Sequence, residues 1–210
     1  MSVTILVTGF GPFPGARLNP AEMLVKRLAR LRRPGLTNAK IVPHIFPTRY
    51  AGVDHDLPKL IGKHKPDALL MFGLAPRTSV PRIETRARNS FALLADAGGN
   101  SPHRAAIAPG KPPAVAMPAP ARALLAAVRT AGVPAALSHD AGRYLCNYLC
   151  WRAIETAGKK GGPWLAAFIH VPLVRRGTGP RRANKRHISL DDLTRAGSSL
   201  LVALAAAARR

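Results

Sequence analysis

Acidic residues, cysteines and aromatics are all scarce in this chain, and each scarcity excludes something. Ten Asp and Glu face 32 Lys and Arg, a formal net charge of +22. Such an excess attracts polyanions without selectivity at low salt. A dedicated nucleic-acid surface would add aromatic side chains that stack on bases. Aromatics are only 5% of the residues, and the basic stretch RRGTGPRRANKR at 175 to 186 contains none. The charge therefore supports general polyanion contact more than specific recognition. The two cysteines, Cys146 and Cys150, stand four apart in one predicted helix, a spacing that makes a disulfide between them geometrically poor. A reducing compartment suits both. Neither zinc-finger spacing nor H-E-x-x-H occurs, so no metal is expected. The apolar run from Leu200 to Ala208 falls short of the ~20 residues that cross a bilayer, and it reads as the buried side of a terminal helix. The opening MSVTILVTGFGPF has no basic segment ahead of a long apolar stretch. It reads as a first strand rather than a secretion signal, so a cytoplasmic location is expected.

What is present is a chain of 210 residues, 47% hydrophobic, long enough to bury a core as a single domain over 1 to 210. No Pro/Gly/Ser tract divides it. Residues 3 to 8, VTILVT, form a β-branched run, and GFGPFPGARL makes a turn-rich loop. Asn19-Pro20-Ala21-Glu22 then supplies a cap, a first-turn proline and an acid for a helix. Strands are expected at 41 to 46, 68 to 74 and 164 to 171, with a short one before Ser138. Helices are expected at 52 to 64, at 120 to 131, from Cys146 and from about Leu190. This alternation predicts an α/β protein, a three-layer α/β/α sandwich with a mainly parallel, mixed central sheet. In such sheets ligands bind beyond the carboxyl ends of the strands. Three segments converge there: the loop Gly9 to Gly15, the loop Gly73 to Asn89, and the turn before Cys146. The glycines at 9, 11 and 15 do not have dinucleotide-loop spacing.

Cys146 lies in DAGRYLCNYLCW, where an Ala-Gly turn hands over to a helix. Free amides and the positive end of the helix dipole favour an anion there, and the same amides can receive an oxyanion. On position alone, a small core cysteine is the commoner outcome. A thiol nucleophile also needs a base, and the base needs an orienting acceptor. His170 ends the apolar strand WLAAFIHVP and is the candidate base. Glu84, in RIETRARN among Arg82, Arg86 and Arg88, is the candidate acceptor. Cys150, one turn beyond Cys146, reads as core.

Together these segments resemble the pyroglutamyl peptidase I family of cysteine peptidases, also called pyrrolidone carboxyl peptidases. The resemblance rests on LVTGFGPFPG followed by LNPAE, on GLAP to Glu84 and Asn89, on AGRYLCN and on FIHVP, all in register over nearly the whole chain. It implies removal of N-terminal pyroglutamyl residues from peptides by Cys146 as nucleophile, His170 as base and Glu84 as orienting acid. No cofactor is implied, and a homo-oligomer is. The family's slot for the lactam ring corresponds to Phe10, Phe13 and Tyr144, with Leu145, Leu74, Thr48 and Leu94 nearby. A flat lactam has two apolar faces and one polar edge, which suits aromatic walls and a few backbone groups.

The chain departs from the pattern around the acid. Family members usually carry Ser or Thr two residues before it and a basic residue directly after; here these are Arg82 and Thr85. The usual Gln after the first glycine of the loop is Leu74. These departures bear on substrate recognition rather than on the triad. Two other readings stand beside the peptidase: a polyanion-binding protein on a peptidase scaffold, and a thiol hydrolase with altered lactam or amide specificity.

Overall fold

The computed structural model describes residues 2–13, 16–174 and 188–209; the basic stretch 175 to 186 and Gly15 of the first loop lie outside them. The chain runs β1 (Val3–Phe10), α1 (Pro20–Leu28), β2 (Ala39–Phe46), α2 (Tyr50–His64), β3 (Ala68–Leu74), β4 (Arg82–Glu84), β5 (Arg86–Arg88), β6 (Ala114–Ala116), α3 (Ala121–Thr130), β7 (Ala136–Ser138), α4 (Leu145–Thr156), β8 (Leu165–Val171) and α5 (Leu190–Ala208). Six strands form the main sheet in the order β2-β1-β3-β8-β4-β7. β2, β1, β3 and β8 are parallel, while β4 runs antiparallel to β8 and parallel to β7. The sheet is thus mixed and mainly parallel.

Strand alternation sends successive side chains to opposite faces, and both faces are covered. Ile5, Val7, Leu70, Phe72, Ala167 and Ile169 pack with α1, α3 and α5. Leu6, Leu69, Met71 and Phe168 pack with α2 and α4. Double coverage explains why β3 is an unbroken apolar run rather than an alternating one. α1 begins as its cap predicts: Asn19 Oδ1 accepts the Ala21 N–H at 3.0 Å, with Pro20 in the first turn. α5 begins with a reciprocal capping box between Ser189 and Asp192.

β1 continues to Phe10 instead of ending at Thr8. Gly9 permits this, because a Cβ there would lie 3.1 Å from the Ala21 carbonyl oxygen and from Val25 Cγ2. The bare backbone lets α1 settle on the strand. β2 forms one border of the sheet. The bonds from Val3 N to Asn38 O and from Gly11 N to Phe46 O set the parity of its ladder. By that parity Pro43 turns its missing N–H to the open side, which blunts pairing by a foreign strand.

The segment Gly73 to Asn89, expected as a loop, contains β4 and β5. β4 adds to the main sheet beside β8, and β5 pairs with β6 in a small antiparallel ribbon that lies against α4. Three-residue strands are too short to leave a periodic trace in the sequence. No helix among the described residues is long and apolar enough to cross a membrane.

Candidate active site

The carboxyl ends of β3 and β8 and the start of α4 meet on the α2/α4 face. A turn built by Gly142, at φ 79°, brings the chain round to α4, and Asp140 Oδ1 accepts the Gly142 N–H at 3.0 Å. Helical geometry starts at Leu145, one residue before Cys146, and no side chain caps the helix. Its first amides are therefore left for another acceptor. Cys146 is partly exposed and Cys150 is fully buried. Burial pushes the Cys150 thiol well above its ordinary value, with the charges of Cys146 and Glu84 adding to the rise.

The Cys146 sulfur rests over Gly73. A Cβ on Gly73 would stand 2.7 Å from Cys146 Sγ and 2.6 Å from Phe168 Cζ, so the sulfur occupies space that any other residue would fill. Gly73 pairs directly with His170 on β8, which sets the thiol beside the imidazole. His170 Nδ1 and Glu84 Oε1 are 2.7 Å apart. Both side chains are nearly fully buried, at 5% and 0% exposure. Burial disfavours a charged imidazole, but the electrostatic and hydrogen-bond contacts with Cys146 and Glu84 outweigh it and raise His170 from 6.5 to about 9. Cys146, His170 and Glu84, drawn from three separate segments, therefore form one contiguous group. A partly exposed thiol beside an imidazole held by a carboxylate is what nucleophilic cysteine chemistry requires.

The arginines around Glu84 divide. Arg82 approaches it, with Nη2 3.9 Å from Glu84 Oε1. Arg86 Nε instead donates to the His139 carbonyl at 2.7 Å, and Arg88 Nε donates to Asp140 at 3.0 Å. These two brace the turn that precedes α4. Thr85, whose hydroxyl donates to the Ser138 carbonyl at 2.9 Å, ties β4 to the same region.

The residues expected to hold the ring are less uniform. Phe10 is buried against Phe46, ring centroids 6.0 Å apart. Phe13 is half-buried in a tight bridge with Ala16. Tyr144 immediately precedes α4, half-buried, and its hydroxyl donates to the Ala95 carbonyl at 3.0 Å. Leu145 is buried. Thr48 is also buried, and its hydroxyl donates to the Gly11 carbonyl at 3.3 Å, joining the loops after β1 and β2. Leu94 is 60% exposed on the loop that carries Ala95. Leu74 follows Gly73, so alternation puts it on the opposite sheet face, away from the Cys146 sulfur. Its closeness in sequence to Gly73 does not translate into closeness to the thiol.

Sequence reasoning missed three contributors. Gly73 was visible only as the start of a motif. Asn147 is fully buried on α4; its Oδ1 accepts the Arg88 N–H at 2.8 Å and its Nδ2 donates to the Arg88 and Ser90 carbonyls at 2.8 and 3.1 Å. It ties α4 to the segment that follows Glu84. Asp96 receives the Tyr50, Gly98 and Asn100 amides at 3.0, 2.8 and 3.1 Å. The DAGGN string around it was the available signal, since Asp before glycines favours a side-chain-capped turn. A cavity of about 780 Å³ between α1 and β2, lined by Leu31, Arg33, Leu36 and Ile41 among others, is remote from the thiol and shares none of these residues.

The fold is α/β, and the site groups a thiol, an imidazole and a carboxylate. A sequence model of the pyroglutamyl peptidase family matches residues 3–209. The pyrrolidone-carboxylate peptidase of Pyrococcus furiosus is 33% identical over 171 residues, 81% of each chain. That of Alkaliphilus oremlandii is 33% identical over 205 residues, 97% of this chain and 92% of its own. The solved structure of the pyrrolidone carboxyl peptidase from Thermococcus litoralis superposes with a TM-score of 0.84 at 29% identity, covering 96% of this chain and 93% of that one. The chain belongs to the pyroglutamyl peptidase family.

Proposed function

We propose that this protein removes N-terminal pyroglutamyl residues from peptides through a thioester on Cys146. The observation that carries the reading is the contiguous group in which the Cys146 sulfur lies over Gly73 beside His170, itself 2.7 Å from buried Glu84. Glu84 holds the imidazole by Nδ1, which leaves Nε2 for the thiol. His170 takes the thiol proton, and the sulfur attacks the pyroglutamyl carbonyl carbon. The oxyanion that forms is received by the uncapped first amides of α4. The imidazolium then gives its proton to the departing amine as the C–N bond breaks. Water, deprotonated by the same imidazole, attacks the thioester, and pyroglutamate leaves as the thiol is restored.

Half-buried Phe13 and Tyr144 offer aromatic walls for the flat lactam, with buried Phe10 and Leu145 behind them. A charged N-terminus entering the same slot would lose hydration without a partner. The test is hydrolysis of a fluorogenic pyroglutamyl amide by the wild type, by Cys146→Ala and by Cys150→Ala. Wild type and Cys150→Ala turn the substrate over, while Cys146→Ala falls to background. Equal turnover by wild type and Cys146→Ala rules Cys146 out as the nucleophile.

A further inference from the structure

The strands that carry the site stand in the order β1, β3, β8, β4 across the sheet. On the α2/α4 face this gives a line of side chains at about 4.8 Å per strand. Phe10 is on β1, the Cys146 sulfur lies over Gly73 on β3, His170 is on β8 and Arg82 is on β4. Gly73 and Arg82 are direct partners of His170 on its two sides. Arg82 shares the face of His170, because its guanidinium approaches the same Glu84 oxygen that His170 contacts. The Arg82 side chain is 33% exposed. Its Nε is buried and has no hydrogen-bond partner among the described residues. Arg82 is therefore a cation next to the base whose buried Nε is out of reach of solvent and whose exposed part opens to solvent on one side.

The reaction gives this line a direction. The acyl carbon joins the sulfur, so the pyroglutamyl half lies on the Phe10 side. The departing amine must sit over His170 to receive its proton. The rest of the departing residue then continues one strand further, to Arg82. A carboxylate on that residue meets the guanidinium there, and guanidinium–carboxylate pairing is the strongest polar contact this position can make.

We propose that Arg82 is a specificity-determining residue that binds a carboxylate on the leaving residue, so that pyroglutamyl substrates bearing one are preferred. This rests on the pyroglutamyl peptidase reading above. Two sources supply the group: the free α-carboxylate of a pyroglutamyl dipeptide, and the side chain of Asp or Glu in the leaving position.

Two substrate pairs separate the sources: pyroglutamyl-alanine against its amide, and pyroglutamyl-glutamate amide against pyroglutamyl-glutamine amide. kcat/KM is measured for all four with the wild type, Arg82→Lys and Arg82→Gln. Wild type favours the carboxylate in at least one pair by about tenfold, the size of one charge-assisted hydrogen bond shared with Glu84 and partly screened by water. The pair that shows it names the source. Arg82→Lys keeps part of the preference and Arg82→Gln brings the ratio near one. Each preference is a ratio within one protein, so weaker folding or a weaker Glu84 contact cancels. A wild-type ratio of one in both pairs overturns the proposal. So does a preference that survives in Arg82→Gln, which would come from the general +22 charge. If neutral substrates are cleaved without preference, this inference alone falls; if the wild type cleaves none of the four, the peptidase reading falls with it.

Discussion

Replacing Gly73 by Ala tests the geometry of the site with the smallest available change. The new Cβ would stand 2.7 Å from Cys146 Sγ and 2.6 Å from Phe168 Cζ, whereas unstrained contacts begin at about 3.5 Å. Phe168 is fully buried and cannot swing away, while Cys146 is partly exposed. The sulfur therefore yields, by roughly 0.8 Å, towards solvent and out of line with His170. Misplacement of a reacting atom by about 1 Å costs on the order of 10²-fold in rate. The added methyl also overpacks the α2/α4 core, at about 1–3 kcal/mol. For a chain of this size that lowers Tm by several degrees, at ~2–4 °C per kcal/mol. Gly73 does not occupy the left-handed region, so the backbone itself tolerates Ala and the effect isolates the side-chain clash. The assay is steady-state hydrolysis of a pyroglutamyl amide, alongside thermal unfolding and the alkylation rate of Cys146. Turnover within threefold of wild type, with an unchanged alkylation rate, refutes the claim that the sulfur needs the space over Gly73.

Two further outcomes follow from the buried polar groups. His170 is raised to about 9 against the opposing effect of its burial, by Cys146 and then by Glu84. Its charged form therefore stabilises the folded state fully below about 6.5, and that contribution fades as pH rises through about 9. The alkaline limb of kcat/KM lies near the same pH and moves lower in Glu84→Gln; a limb that stays in place in Glu84→Gln contradicts the role given to the carboxylate. Asn147→Ala strands the Arg88 amide and the Arg88 and Ser90 carbonyls, and each group left unpaired costs about 1–3 kcal/mol where water cannot replace the amide. Because these three bonds are only part-buried and water replaces some of them, denaturant unfolding should register a loss of roughly 2–4 kcal/mol, and a loss below about 0.5 kcal/mol, the level of an ordinary surface substitution, would show that the tether is slack.

Much of this arrangement could be read in the letters. Asn19-Pro20-Ala21-Glu22 announced α1, the apolar runs announced β1, β3 and β8, and the order of the motifs brought Cys146, His170 and Glu84 to attention. Their contiguity depends on pairing between strands far apart in the chain, which no local pattern encodes. The parity of β3 is a case in point: the motif marks Gly73 and Leu74 equally, yet only one of two adjacent residues can face α4. Arg82, Arg86 and Arg88 looked alike as neighbours of the acid, but β4 turns Arg82 towards it while the following residues reach the turn at 139 to 140. β4 to β6 escaped because three residues cannot display a period, and their pairing energy comes from partners elsewhere.

The position of β8 bears on how the protein comes to life. It is the last strand to be synthesised in the main sheet, yet it sits between β3 and β4, in a pairing that joins Ala68 to Leu165. Such distant contacts form slowly. Until β8 slides into that gap, Gly73 has no His170 beside it and Glu84 has nothing to hold. Cys146 is made only 24 residues before His170, so during synthesis the thiol precedes its base only briefly, and in refolding the proposed activity is expected to appear with the closing of the sheet rather than with the formation of its outer strands.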